Sequence, residues 1–202
     1  MGLVRAHEII GLNPQVFSGV LQQYDRVINI MKQANDLQSR FYNSFDGSAL
    51  LSFVHRLLNL SDEEKRGLDS FLGEGFHFQS FEYQAHALPL AVNLAKSSFL
   101  RQGDLVLNRW KRAMEIARSM ERVSLIPPME VISGQNYLAV VMPKGQVLAK
   151  IQERKVDDLL RDTAKALSEV GLALDDYPQL REACGVPFII DWSDLNFVTS
   201  QR

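Results

Sequence analysis

The chain is short of the residues that build disulfide frameworks and metal centres. Its one cysteine, Cys184, excludes an internal disulfide. Its four histidines (His7, His55, His77 and His86) are scattered, and none stands at a metal-ligand spacing from another, which argues against a structural zinc site. No apolar run approaches the roughly 20 residues that span a bilayer, so no membrane span is expected. No charged-then-apolar leader opens the sequence, and the expected location is the cytoplasm, or outside the cell by a route that leaves no such leader. The formal net charge is only −2, and basic residues form no stripe with interleaved aromatics, which argues against a dedicated nucleic-acid binder. Internal repeats and low-complexity segments are lacking as well. What remains is an ordinary globular composition over 202 residues, enough for one domain or two small lobes with a real core. Oligomeric state is not legible from it.

The first seventy residues read as helical. Val16, Val20, Tyr24, Val27, Ile28, Met31, Ala34 and Leu37 recur at three- and four-residue steps, giving one apolar stripe, with Pro14 near its start, where a missing N–H costs little. Asp46-Gly47 breaks the chain. Leu50, Leu51, Val54, Leu57 and Leu58 form a second stripe. Ser61 and Glu64 fit a capping box that starts a short helix to about Ser70.

After Gly75 the texture changes. Phe76 to Tyr83 and Leu90 to Lys96 read as a hairpin turning near His86 to Pro89. Asp104 is the expected cap of a helix from Leu105 to about Arg122, with Trp110, Ala113, Met114 and Ala117 on its buried side. Met129 to Ile132 and Tyr137 to Met142 are two further strands around the turn Ser133-Gly134-Gln135-Asn136. A long helix follows from Val156 to Val170, ended by Gly171. The remainder reads as loop, one short strand near Ile189, and tail. Strands segregated from helices give an α+β class. Three segments are expected: a helical one over 1–70, a β lobe with one helix over 71–145, and a small helical lobe over 146–202.

This β-β-helix-β-β order, with a linker, a helix and an acidic loop after it, resembles the protein-kinase-like fold over roughly Phe71 to Leu195. Leu72-Gly73-Glu74-Gly75 is similar to the opening of the family's glycine-rich loop, without its third glycine. The resemblance implies that Gly73 and Gly75 approach the phosphates of ATP. In the third strand, matching Ala91-Val92 to the family's Val-Ala-Ile-Lys brings Asn93 to the lysine slot, whereas matching Leu94 brings Lys96 there. The two positions point to opposite faces of a strand. Glu115, nineteen residues beyond Lys96, suits the family's Lys–Glu ion pair and favours Lys96. Tyr137 to Gly145 resembles the fifth strand and hinge, with Met142 among the adenine-binding positions. Leu174-Asp175-Asp176-Tyr177-Pro178 resembles the catalytic loop without its His and Arg, and with Leu180 and Arg181 where a magnesium-binding Asn belongs. Ile189-Ile190-Asp191-Trp192-Ser193 is similar to the metal-binding segment, with Asp191 as the magnesium ligand.

The resemblance thus implies a catalytic set of Asp176, Asp191, Lys96 and Glu115 with ATP and magnesium, acting on a protein or small-molecule hydroxyl. Only eleven residues follow Asp191, which implies a minimal lower lobe with the N-terminal helices packed in its place. The altered positions imply the alternative of an inactive pseudokinase-like scaffold. Its partner would dock on the helices near 16–37, provided Phe41 and Phe45 are exposed. Taken singly, the same residues fit plainer roles: Gly73 and Gly75 a helix-to-strand turn, Asp175-Asp176 a polar turn, Asp191 a loop cap, and Trp110 and Trp192 core packing.

Overall fold

The computed structural model describes residues 31–120, 125–148, 150–174 and 179–198. Helix α1 covers residues 31–44 and α2 runs Gly47–Leu58. The stripe upstream of Met31 lies outside the described residues. Asp46 divides the two helices for a chemical reason. Its backbone is extended, and its carboxylate accepts from the N–H groups of Ser48 at 3.0 Å and Ala49 at 3.1 Å. A cap of this kind is worth about 1 kcal/mol. The bond from Ala49, then that from the Ser48 hydroxyl, holds the Asp46 carboxyl below its usual range. Leu50, Val54 and Leu57 are buried as their spacing predicts, together with Phe53. Ser61 and Glu64 form the expected capping box at the start of α3 (Asp62–Arg66).

Strands β1 (Phe71–Glu74), β2 (Phe78–Tyr83), β3 (Leu90–Ala95), β4 (Glu130–Ser133) and β5 (Leu138–Pro143) form an antiparallel five-stranded sheet in the order β1-β2-β3-β5-β4. Between β3 and β4 the chain makes α4 (Ser97–Leu100) and α5 (Asp104–Ser119). Asp104 does not cap α5. Gly103 holds the cap position with φ 98°, and Asp104 is the first helical residue, where its charge still meets the positive end of the helix dipole. The helix ends at Ser119, and Arg122 lies outside the described residues.

Strand alternation sorts β3 into two faces. Leu90, Val92 and Leu94 are buried on one, and Ala91 and Asn93 are half-buried on the other. The first face, with Phe81, packs under α1 and α2 through Leu37, Phe41, Leu50 and Leu57. Against the second face lies α5, contributing Trp110, Ala113, Met114 and Ala117 to a core with Leu138, Val140 and Met142.

The C-terminal part is richer in strands than its sequence suggests. After β6 (Gln146–Val147) comes α6 (Lys150–Glu169), which Gly171 ends with φ 77°, a left-handed value that only glycine adopts cheaply. β7 (Leu172–Leu174) pairs with β10 (Leu195–Phe197), while β8 (Leu180–Ala183) and β9 (Val186–Ile189) form a hairpin edged by β6.

The packing corrects two expectations. Helices α1 and α2 and helix α6 contribute to different cores. The first two share a core with the sheet and with Ala183, Val186 and Phe188 of the β8–β9 hairpin, whereas α6 gives Leu159, Leu160 and Leu167 to the other core. Phe41 is fully buried and Phe45 packs against the same cluster, so neither offers a partner surface. Burial of one such side chain stabilises by about 1.5–3 kcal/mol, which commits this face to the interior. The class is α+β. Among the described residues no helix is long and apolar enough to cross a membrane.

Candidate functional site

Between the Asn93 face of the sheet and the β8–β9 hairpin lies a cavity of about 380 Å³. That is room for a drug-sized ligand. Three separate stretches of chain meet there: the β1–β2 turn with Gly73 and Gly75, the end of β5 with Met142, and the segment after β9 with Asp191.

Gly73 adopts φ 143°, a backbone that L side chains rarely take, and a Cβ at Gly73 or Gly75 would meet nothing within 4 Å. The turn is therefore open on the cavity side. Gly75 is not wholly available to a ligand, because its N–H donates to the Phe78 carbonyl at 2.9 Å and closes the hairpin. The linker after β5 is the tight part of the wall. A Cβ on Gly145 would collide with the Cβ of Arg181 and lie 2.9 Å from Phe188 Cζ. Glycine here lets the linker lie directly on β8.

The segment carrying Asp191 is anchored from both sides. Ile189 N–H donates to the Leu125 carbonyl at 2.9 Å, and Leu125 N–H donates to Thr163 Oγ1 of α6 at 3.3 Å. Ile190 N–H donates to the Gln179 carbonyl at 3.0 Å. Trp110 Nε1 of α5 donates to the Trp192 carbonyl at 3.1 Å, and Trp192 Nε1 returns to the Ile189 carbonyl at 3.0 Å. Both tryptophans are core residues, as the plainer reading had it, yet their indole N–H groups also fix the loop. Asp191 Oδ1 accepts from Ser193 N at 3.2 Å and Ser193 Oγ at 2.7 Å, an Asx-type turn. Among the described residues no cation pairs with Asp191.

The register of β3 sets Asn93 and Lys96 in different surroundings. Ala91 and Asn93 line the cavity, and Asn93 accepts from Ser80 Oγ at 2.6 Å and donates to the Val140 carbonyl at 3.4 Å. Lys96 falls just beyond β3 and reaches Glu74, with Nζ 3.1 Å from the carboxylate. Glu74 is itself one of the residues lining the cavity, whereas Lys96 is not. Arg66 joins the pair at 3.2 Å. Lys96 first, then Arg66, hold the Glu74 carboxyl below its usual range. Glu115 is exposed on α5. The expected Lys96–Glu115 pair is thus replaced by Lys96–Glu74, since Lys96 lies past the end of β3 and Glu115 is exposed on α5.

Asp175 and Asp176 lie outside the described residues, between Leu174 and Gln179, the latter a cavity residue. No group of three metal-ligating side chains occurs among the described residues. Magnesium does not require one, since it commonly takes one or two carboxylates together with substrate phosphates and waters. Asp191 fits that role, with Oδ1 already oriented by Ser193. Three further residues line the cavity that sequence reasoning had not assigned to a site: His77, Lys144 and Arg181. His77 Nδ1 is buried without a hydrogen-bond partner among the described residues. Lys144 is held by Glu82. The sequence pointed to Arg181 only as an occupant of the expected Asn position and to Lys144 only as part of the hinge-like segment, because β8 was not recognised as a strand and the linker's fold-back was not visible. No protein-family model matches this chain, and no curated protein does either.

Proposed function

We propose that this chain is a small kinase-like domain that binds a nucleotide with magnesium in the cavity beneath its five-stranded sheet. One observation carries the reading. Gly73, Gly75, Met142 and Asp191, drawn from three distant stretches on a resemblance alone, line a single cavity of about 380 Å³. In this reading the glycine turn admits phosphates without a Cβ in the way. Met142, with Ala91 and Val140, offers an apolar wall to a base. Asp191 holds the magnesium that bridges phosphates.

Phosphate transfer is a further step, and Asn93 weighs against a fast one. A neutral amide in the lysine position leaves the phosphates without the charge that positions them. Transfer to a protein or small-molecule hydroxyl would then rest on Asp176 as the base. The observation at Asn93 favours a nucleotide-binding pseudokinase-like protein as the second reading. Isothermal titration with Mg-ATP tests the shared core of both. Wild type is expected to bind, and EDTA or Asp191→Asn is expected to weaken binding by tenfold or more. Binding that ignores both would remove magnesium and Asp191 from the account.

A further inference from the structure

His77 lines the cavity from the glycine turn itself, just beyond Gly75. Its backbone is held from two sides. The Gly75 N–H bond to the Phe78 carbonyl closes the turn around it, and the His77 carbonyl accepts from Lys96 N–H at 2.8 Å. Its ring is held as well. The centroid lies 4.7 Å from that of Phe76 and 4.8 Å from that of Phe99. Phe99 is in ring contact with Phe78 and Trp110, and those two also line the cavity. The imidazole therefore stands on the α5 side of the sheet, the side on which the cavity lies.

Within this packing Nδ1 is buried and has no hydrogen-bond partner among the described residues. A proton on Nδ1 would be stranded without an acceptor, which places the ring's N–H on Nε2. Nε2 has no partner among the described residues either. Other donors at the turn are engaged. Lys96 and Arg66 are tied to Glu74, Ser80 Oγ donates to Asn93, and Gly75 N–H closes the hairpin. A buried nitrogen without a partner costs stability, and a phenylalanine ring in the same place would avoid that cost.

Resting on the nucleotide reading, we propose that His77 is a phosphate-binding residue, whose Nε2–H donates to a phosphate oxygen of the ligand at the glycine turn. The recognised chemistry is a phosphate anion meeting a neutral ring donor fixed by aromatic packing. The stranded Nδ1 is the stability given up to hold that donor at the cavity wall. Affinity then depends on the ligand's phosphates at this end of the cavity, and a nucleoside without phosphates makes no use of His77.

The test is titration of Mg-ADP and of adenosine into wild type and His77→Phe, which keeps a ring against Phe99 and removes both nitrogens. A hydrogen bond to a charged acceptor corresponds to roughly tenfold or more in affinity. Mg-ADP is expected to bind the variant about tenfold more weakly, while adenosine changes by less than about twofold. The unfolding midpoint of the free variant is expected to hold or rise, because the stranded nitrogen is gone. His77→Ala carries the same affinity comparison if the phenylalanine variant does not fold. Unchanged Mg-ADP affinity in a folded variant overturns the proposal and leaves a packed turn residue. Equal losses for Mg-ADP and adenosine also overturn it, since they report packing. A lower midpoint in folded His77→Phe would mean that Nδ1 has a partner, and removes the reason to single out His77. A wild type that binds neither ligand removes the nucleotide reading itself, and this inference with it.

Discussion

Replacing Gly145 by alanine tests whether the linker is pressed onto β8 as described. The added Cβ would lie 2.9 Å from Phe188 Cζ and 3.2 Å from the Glu182 amide nitrogen, and would collide with Arg181 Cβ. Carbon atoms pack best at about 3.5–4.0 Å, so a shift is forced. The ring of Phe188 has no room to swing, because the residue is fully buried. The Glu182 amide belongs to the backbone of β8, paired with Gln146 of β6. Overpacking of this sort costs about 1–3 kcal/mol. Alanine also restricts the unfolded chain, a stabilising term of about 0.4–1 kcal/mol. The clash therefore wins by about 1–2 kcal/mol, which for a domain of this size lowers the unfolding midpoint by about 2–8 °C. Gly75→Ala is the internal control, since its Cβ meets nothing within 4 Å, and its midpoint is expected to hold or rise slightly. Thermal unfolding followed by circular dichroism reads both. A Gly145→Ala midpoint equal to or above wild type would refute the close approach.

Two further outcomes follow from the same geometry. Trp110→Phe removes the indole bond to the Trp192 carbonyl and leaves a gap at a site that is 5 % exposed. About 1–3 kcal/mol of stability is expected to go, and Mg-ATP affinity with it, because the Asp191 segment loses its anchor to α5. Affinity that survives unchanged would detach Trp110 from the site. Glu74→Gln tests the ion pair with Lys96 and Arg66 through pH. The Glu74 carboxyl is held below its usual range, chiefly by Lys96, so its contribution is present above the unfolded carboxylate value and is lost as pH falls through the lower folded value. The variant is expected to melt below wild type at pH 7, with the gap closing in acid below about 4.3. A gap independent of pH would assign the effect to something other than the charge.

Much of the architecture was legible because local signals were strong. The stripe at Leu50, Val54 and Leu57, the capping box at Ser61 and Glu64, and Gly171 after α6 are short-range features that tertiary packing did not override. What escaped was short or nonlocal. β7 and β10 have three residues each, and their pairing joins positions about twenty apart, so neither carries a periodic pattern of its own. Asp104 reads as a cap by residue type, but Gly103 supplies the turn conformation that starts α5. Motif order singled out Gly73, Gly75, Met142 and Asp191, which line one cavity, and motif order needs no register. The choice between Asn93 and Lys96 does need it, because only the strand's pairing says which of them faces the cavity. Arg181 was read only as standing where a magnesium-binding Asn belongs, and its packing against Gly145 and Phe188 joins parts of the chain that the sequence does not connect.

The central claim is a magnesium-dependent nucleotide site built on Asp191. Its most direct test is the unfolding midpoint with and without Mg-ATP, for wild type and Asp191→Ala. Ligand at about a hundred times its dissociation constant stabilises by about 2.7 kcal/mol. In a domain of this size that is a rise of about 5–10 °C. The account predicts such a rise in wild type, dependent on magnesium and lost in Asp191→Ala. A midpoint unmoved by Mg-ATP in wild type, at concentrations that saturate ordinary nucleotide sites, would contradict it.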